Sequence, residues 1–390
     1  MHKSTDRILI THVGSLVRPP AVVEVLRAKE AGRPYDAADL AARVRAGIAE
    51  GVRQQAEAGI DIPSDGEFSK SSFTNYANER LTGFEAREGY LARTATTRGR
   101  DRKAFADFYA EYDASEGAVT TRLAVCTGPI SYRGHAQVQT DIDNFKAALK
   151  DVHVTEAFIP AVAPGTVELQ RVNEYYPTQK AYLFAIAGAL REEYKAIVEA
   201  GFVLQVDDPR MVTQFDTEDP EPTREGYRAF AQLRIDALNH ALAGLPADRI
   251  RYHVCWGSWH GPHTTDVPLL DILDLVLQVN AEAFSIEAAN GRHAHEWAVW
   301  QDVKLPPGKT LIPGVIAHTT NTVEHPELVA QRLVQYAHLV GGENVIAGAD
   351  CGFAQGAFTQ RVHPSIMWAK FHAMAAGAAI ASQRLWGRGR

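Results

Sequence analysis

The sequence predicts an α/β fold, a single (β/α)8 TIM barrel with insertions, on three observations. Short apolar runs alternate with longer amphipathic stretches over almost all of the 390 residues. Eight of those runs are strand-like and bounded by Gly, Pro, Asp or Ser. Polar side chains suited to chemistry recur just past the ends of these runs, at steps close to the length of one βα unit. Strands joined through helices pair in parallel with right-handed crossovers, and eight of them close a barrel.

The elements follow in order. A first strand over 7–13 runs into Ser15. Residues 36–59 read as a helix, because Leu40, Val44, Ile48 and Val52 recur every fourth residue as one apolar stripe. A second strand, 60–65, precedes Glu67, and a third is expected at 122–126. A helix over 180–200 leads to the fourth strand, 203–207. The remaining four are 251–255, 283–287, 310–315 and 344–350, and a helix from about 364 to 382 closes the chain. Two stretches break the repeat. Residues 84–119 are polar and mixed in charge, expected as a surface excursion between the second and third strands. Residues 152–177, rich in Tyr, Phe and Pro, offer a ninth strand or a lid-like loop; with eight strands already placed they are expected as a second insertion that elaborates the surface or covers substrate. With no linker-like tract or solenoid repeat, residues 1–390 are expected to form a single domain.

Composition excludes several function classes. Lys and Arg number 40 against 47 Asp and Glu, a net charge of −7, so no broad basic surface is available for nucleic acid. No run approaches 18 consecutive apolar residues, and the first residues lack a signal-peptide pattern, so neither a membrane partner nor export is expected. Three cysteines make no disulfide framework and suit a reducing cytoplasm. There is no phosphate loop, dinucleotide fingerprint or nucleophile elbow.

What remains is the set of residues at the strand ends. Ser15, Glu67, Asp207, His253, Cys255, Glu287, His318 and Cys351 all fall where a barrel builds its active face. From Cys255 the steps to Glu287, His318 and Cys351 are 32, 31 and 33 residues, so these groups meet as neighbours on a ring. In His253-Val254-Cys255 the two ligand-type side chains are two apart on a strand and share a face. An imidazole, two thiols and a carboxylate suit Zn2+, and two thiolates argue against magnesium or calcium. His260 or His263, in the run HVCWGSWHGPH, could replace Glu287 or Cys351 in that set. Cys126 reads as core, and His293 and His295 as surface residues.

On these residues the sequence resembles the catalytic barrel of the cobalamin-independent methionine synthase family and its short relatives, which include epoxyalkane:coenzyme M transferases. The motifs are HVGSLVRP, PSDGEF, CTGP, LQVDDP, YHVC, SIEAAN, GVIAHTTN and GADCGF, in family order over residues 11–352. The resemblance implies a zinc-binding (β/α)8 barrel with His253, Cys255, Glu287 and Cys351 as metal ligands. It implies a methyltransferase that moves a methyl group from a folate-type donor to the thiol of homocysteine, forming methionine. Ser15, Glu67 and Asp207 match the groups that hold homocysteine, and His318 matches a general acid for the departing nitrogen. The partners implied are a small-molecule thiol and an alkyl donor, with homo-oligomerisation left open. The same fold admits another thiol alkyltransferase, opening an epoxide with coenzyme M or demethylating a small compound; Arg18 and Arg210 would suit a sulfonate. A non-catalytic thiol-binding barrel or a decarboxylase is the reading from a different class. In this chain the usual D-E-P motif reads Asp207-Asp208-Pro209.

Overall fold

The computed structural model describes residues 1–87, 98–116, 123–257, 260–358 and 361–387. Ten strands occur among them: β1 (Leu9–Ile10), β2 (Phe84–Arg87), β3 (Leu123–Cys126), β4 (Phe158–Val162), β5 (Val172–Asn173), β6 (Val203–Asp207), β7 (Ile250–Val254), β8 (Ala283–Ile286), β9 (Thr310–Ile316) and β10 (Ile346–Ala349). Seven form one parallel sheet in the order β1-β10-β9-β8-β7-β6-β4. The gap between β4 and β1 is closed by residues 62–64, through parallel bridges from Ile62 to Thr11 and from Ser64 to Phe158. The result is the eight-position (β/α)8 barrel that the sequence predicts.

β4, β6, β7, β8, β9 and β10 are buried along their whole length. That is the consequence of helices outside and side chains inside the ring. Among the covering helices, Ala37–Glu57 starts at Asp36, whose carboxylate accepts from the N–H groups of Ala38 and Asp39, and Gln179–Glu199 is capped by Thr178. Leu9, Ile62, Phe158, Val203, Ala283, Ile312 and Ile346 form an inner layer. Directly above it lies the guanidinium of Arg251, 3.7 Å from the centroid of Phe158. It donates to Gln205 Oε1 at 2.7 Å, to Thr11 Oγ1 at 2.9 Å and to the carbonyl of His12. Counting by two from this layer brings Asp207, His253, Cys255, Glu287, His318 and Asp350 to one mouth of the barrel.

The third barrel strand corrects the sequence reading. It is β4, inside the 152–177 stretch expected to be an insertion. The run Phe-Ile-Pro-Ala-Val is apolar on both faces, as a strand covered on both sides must be. The predicted strand at 122–126 exists as β3 (Arg122 lies outside the described residues), but it belongs to a separate small sheet. There it pairs antiparallel with β2 and parallel with β5. The 84–119 excursion therefore contributes an edge strand as well as the helices Arg100–Ala104 and Ala106–Glu116; its residues 88–97 and 117–119 lie outside those described.

Candidate active site

β7 carries His253 to the mouth, where it pairs in register with Asp207 of β6 and Ser285 of β8. Cys255 follows one step beyond the strand, and Cys351 follows β10. Their sulfurs lie 3.4 Å apart, and with a ring nitrogen of His253 they form a group whose ligand atoms all lie within 4.8 Å of one another. His253 Nδ1 lies 3.3 Å from the carbonyl of Ser285, which makes Nδ1 the donor and leaves Nε2 as the nitrogen available to a metal. That Nε2 is buried without a hydrogen-bond partner among the described residues.

Glu287 does not join this group. It falls in a second one, with His318 and Asp350, again within 4.8 Å. Both its oxygens are engaged: Oε2 accepts from the peptide N–H of Trp256 at 2.6 Å, and Oε1 from Asn290 Nδ2 at 2.7 Å. Asp350, which sequence reasoning missed, accepts from the successive N–H groups of Ala288, Ala289 and Asn290 at 2.8, 2.6 and 2.9 Å. It thereby shapes the turn that carries Glu287. Its place immediately before Cys351 in GADCGF was the available signal. Gly314 makes the room for it, since a Cβ there would lie 2.1 Å from Asp350 Oδ1. His260 and His263 are in neither ligand group; His263 Nδ1 faces Asp266 at 3.1 Å.

Charge is crowded at this mouth. The S–H of Cys255 donates to Cys351, which holds the Cys351 thiol well below its ordinary range and raises Cys255, so one proton serves two sulfurs. Burial, then the charge of Asp350, pushes the Glu287 carboxyl well up, and burial likewise raises Asp350. Burial and the neighbouring Glu67 and Cys351 raise Asp207. Burial lowers His318 to about 4, so it is neutral at pH 7. Sulfurs and carboxyls so placed beside a buried imidazole are relieved by a bound cation, and the two sulfurs select a soft one. The residues fit a metal.

Beside the ligand group lie the expected substrate residues. Ser15 follows β1, and its carbonyl accepts from Phe353 N at 2.9 Å. A Cβ on Gly352 would lie 1.9 Å from Ser15 Oγ, so the glycine after Cys351 lets the two loops meet. Glu67 is buried with φ +57°, a left-handed conformation that a non-glycine residue keeps only where its surroundings impose it. Arg18 does so, donating to the carbonyls of Glu67, Lys70 and Ala354 at 2.9, 2.8 and 3.0 Å. Lys70, a second residue missed from sequence, is buried 3.2 Å from Glu67 Oε1, 2.6 Å from the Pro160 carbonyl and 4.5 Å from the ring centroid of Tyr76. Asp207 Oδ1 accepts from Gln205 at 2.7 Å.

The 98–116 excursion reaches this face. Asp101 is buried and accepts from His263 N at 3.1 Å, Thr264 N at 3.0 Å and Thr264 Oγ1 at 2.7 Å. It holds the loop that follows Cys255, so these residues do more than elaborate the surface. His295 is exposed as expected, whereas His293 is only 3% exposed, which corrects the surface reading.

A parallel barrel whose C-terminal mouth gathers an imidazole, two paired cysteines and buried acids defines a class: a barrel enzyme with a metal-ready thiol site. Residues 164–370 match the family described as cobalamin-independent synthase, catalytic domain, and the chain belongs to that family. It is similar to the methionine synthase of Sulfolobus acidocaldarius, 28% identical over 355 residues, covering 89% of this chain and 87% of that protein. The methionine synthase of Thermococcus kodakarensis is 23% identical over 341 residues, 87% of this chain and 85% of that one. In fold the chain is similar to a B12-independent methionine synthase from Shewanella sp. W3-18-1 in complex with selenomethionine, with a TM-score of 0.74 and 18% identity over 98% of this chain and 100% of that one. No helix among the described residues is long and apolar enough to cross a membrane.

Proposed function

We propose that this methyltransferase moves a methyl group from a folate-type donor to the thiol of homocysteine, forming methionine, with zinc as its metal. The observation that carries the reading is the His253, Cys255 and Cys351 group at the barrel mouth, in a chain of this family. Those three residues would hold the zinc, with Glu287 at the adjoining position. Bound there, zinc supplies a Lewis acid that keeps a coordinated thiol deprotonated at neutral pH.

The protein's own groups do the rest. Asp207 and Glu67 take the ammonium of the acceptor, while Lys70, ion-paired with Glu67, offsets the excess negative charge of the two acids. Ser15, through its hydroxyl and backbone, takes the carboxylate. Burial of the mouth excludes water and sets the acceptor sulfur in line with the methyl carbon. As the C–S bond forms and the C–N bond breaks, the leaving nitrogen takes up the proton that the acceptor thiol gave up, and neutral His318, a donor at one ring nitrogen and an acceptor at the other, would relay it. Arg18 is committed to three backbone carbonyls and Arg210 donates to Thr213 and Gln214. Neither therefore favours a sulfonate acceptor over an amino acid.

Purified protein is expected to carry about one zinc per chain and to make methionine from homocysteine and a methyl-tetrahydrofolate. Cys255→Ser is expected to lose both the metal and at least about 10³-fold in rate, the scale of removing a chemical group on which the transition state depends. Activity that survives the substitution overturns the mechanism. Zinc binding with no methionine from any methyl-folate overturns the donor.

A further inference from the structure

His293 lies outside both ligand groups, yet its surroundings are built around it. Nδ1 is 2.9 Å from Glu296 Oε2 and Nε2 is 3.1 Å from Asp266 Oδ2. Two hydrogen bonds to two carboxylates require both nitrogens to carry protons, so the ring is an imidazolium. Its flat face stacks on the indole of Trp256, 4.1 Å between centroids at 26°, a cation–π contact in a buried setting. Trp256 is the residue after Cys255, and its peptide N–H is the donor to Glu287 Oε2. The indole is fixed at its other end too, through Nε1 to the Val267 carbonyl at 2.7 Å.

The two carboxylates are anchored in turn. Glu296 Oε1 accepts from Leu269 N at 2.7 Å, at the start of the helix Leu269–Val276. Asp266 also faces His263, whose N–H reaches Asp101 in the excursion. Contacts thus run without a break from the excursion, through Asp266 and His293, to the peptide between Cys255 and Trp256. Burial alone would lower His293, but the two carboxylates outweigh it and push it up to about 10.

We propose that His293 is a positioning residue for the thiol and metal site: clamped between Asp266 and Glu296, it holds Trp256 by stacking and so keeps Cys255 and Glu287 in place for the metal. The inference rests on the metal reading above. It makes metal affinity depend on a residue that touches neither metal nor substrate, as is usual for groups that orient a ligand.

The test is zinc affinity of the apoprotein, measured by competition with a chromophoric chelator. His293→Gln, which keeps a hydrogen bond but neither the charge nor the ring, is expected to weaken zinc binding 10- to 100-fold. Emission assigned to Trp256, as the difference between the wild type and Trp256→Phe, is expected to rise when the imidazolium is removed. If His293→Gln does not fold, Glu296→Gln, which retains an acceptor for Leu269, is expected to weaken zinc binding at least threefold. A merely structural role would lower thermal stability and leave zinc affinity unchanged. Affinity within twofold of wild type in a natively folded variant overturns the proposal, and a wild-type chain that binds no zinc overturns the metal reading together with it.

Discussion

The imidazole of His293 has no exposed edge to titrate freely, and its proton is therefore tied to folding. Unfolded, it has an ordinary pKa near 6.5; folded, the carboxylates of Asp266 and Glu296 raise it to about 10. Between those values the native chain binds a proton that the unfolded chain lacks. Stability from this source is complete below about pH 6.5 and lost as pH rises through 10, with a slope of at most about 1.4 kcal/mol per pH unit. His12 runs the other way. Burial lowers it to about 3, so the native state refuses a proton that the unfolded state accepts, and stability rises with pH from about 3 to 6.5. Urea unfolding of wild type and His293→Gln between pH 6.5 and 10 is expected to give converging stabilities as the pH rises. Parallel curves would contradict the ion-pair clamp. At this scale the sequence is legible where chemistry and spacing coincide, as in His253-Val254-Cys255. It is illegible for His293, because burial comes from Trp256, 37 positions earlier in the chain.

Among the elements, the excursion helices show how a polar segment becomes structural. Arg100–Ala104 is short and charged, and composition assigns it to the surface. Its Asp101 is nevertheless buried because three donors of the 263–264 loop converge on one carboxylate, and Tyr109 adds a fourth at 3.1 Å. Asp101→Ala leaves these donors without their acceptor. At about 1 kcal/mol for each of the four bonds, it is expected to destabilise the protein by roughly 4 kcal/mol. Limited proteolysis is expected to cut within 98–116 or 256–268 before the barrel unfolds. Wild-type stability and cleavage pattern in Asp101→Ala would refute this role of Asp101. The third barrel strand belongs to this scale too. Apolar runs at 123–126 and 158–162 are both good strands by local pattern, and only pairing partners separate them: β2 and β5 for one, β6 and residues 62–64 for the other.

For the molecule as a whole, the barrel closes below the site. The inner layer and the Arg251 contacts lie beneath the mouth and need no metal. Chelation of the zinc-loaded protein is therefore expected to leave the far-UV circular dichroism unchanged. It should lower Tm by several degrees, since a ligand at a thousandfold its Kd stabilises by about 4 kcal/mol. Unfolding on chelation, or an unchanged Tm, would count against a site formed on a finished scaffold. The sequence by itself determined the barrel class and the arrival of His253, Cys255 and Cys351 at one face, because a period of two along strands and the βα repeat are local regularities that survive without coordinates. Tertiary structure alone decided which run is the third strand, how Asp350 shapes the Glu287 turn across 62 residues, and how Asp101 grips His263 across 162. Those contacts are satisfied hydrogen bonds between distant segments, and nothing in the pattern of either segment names its partner.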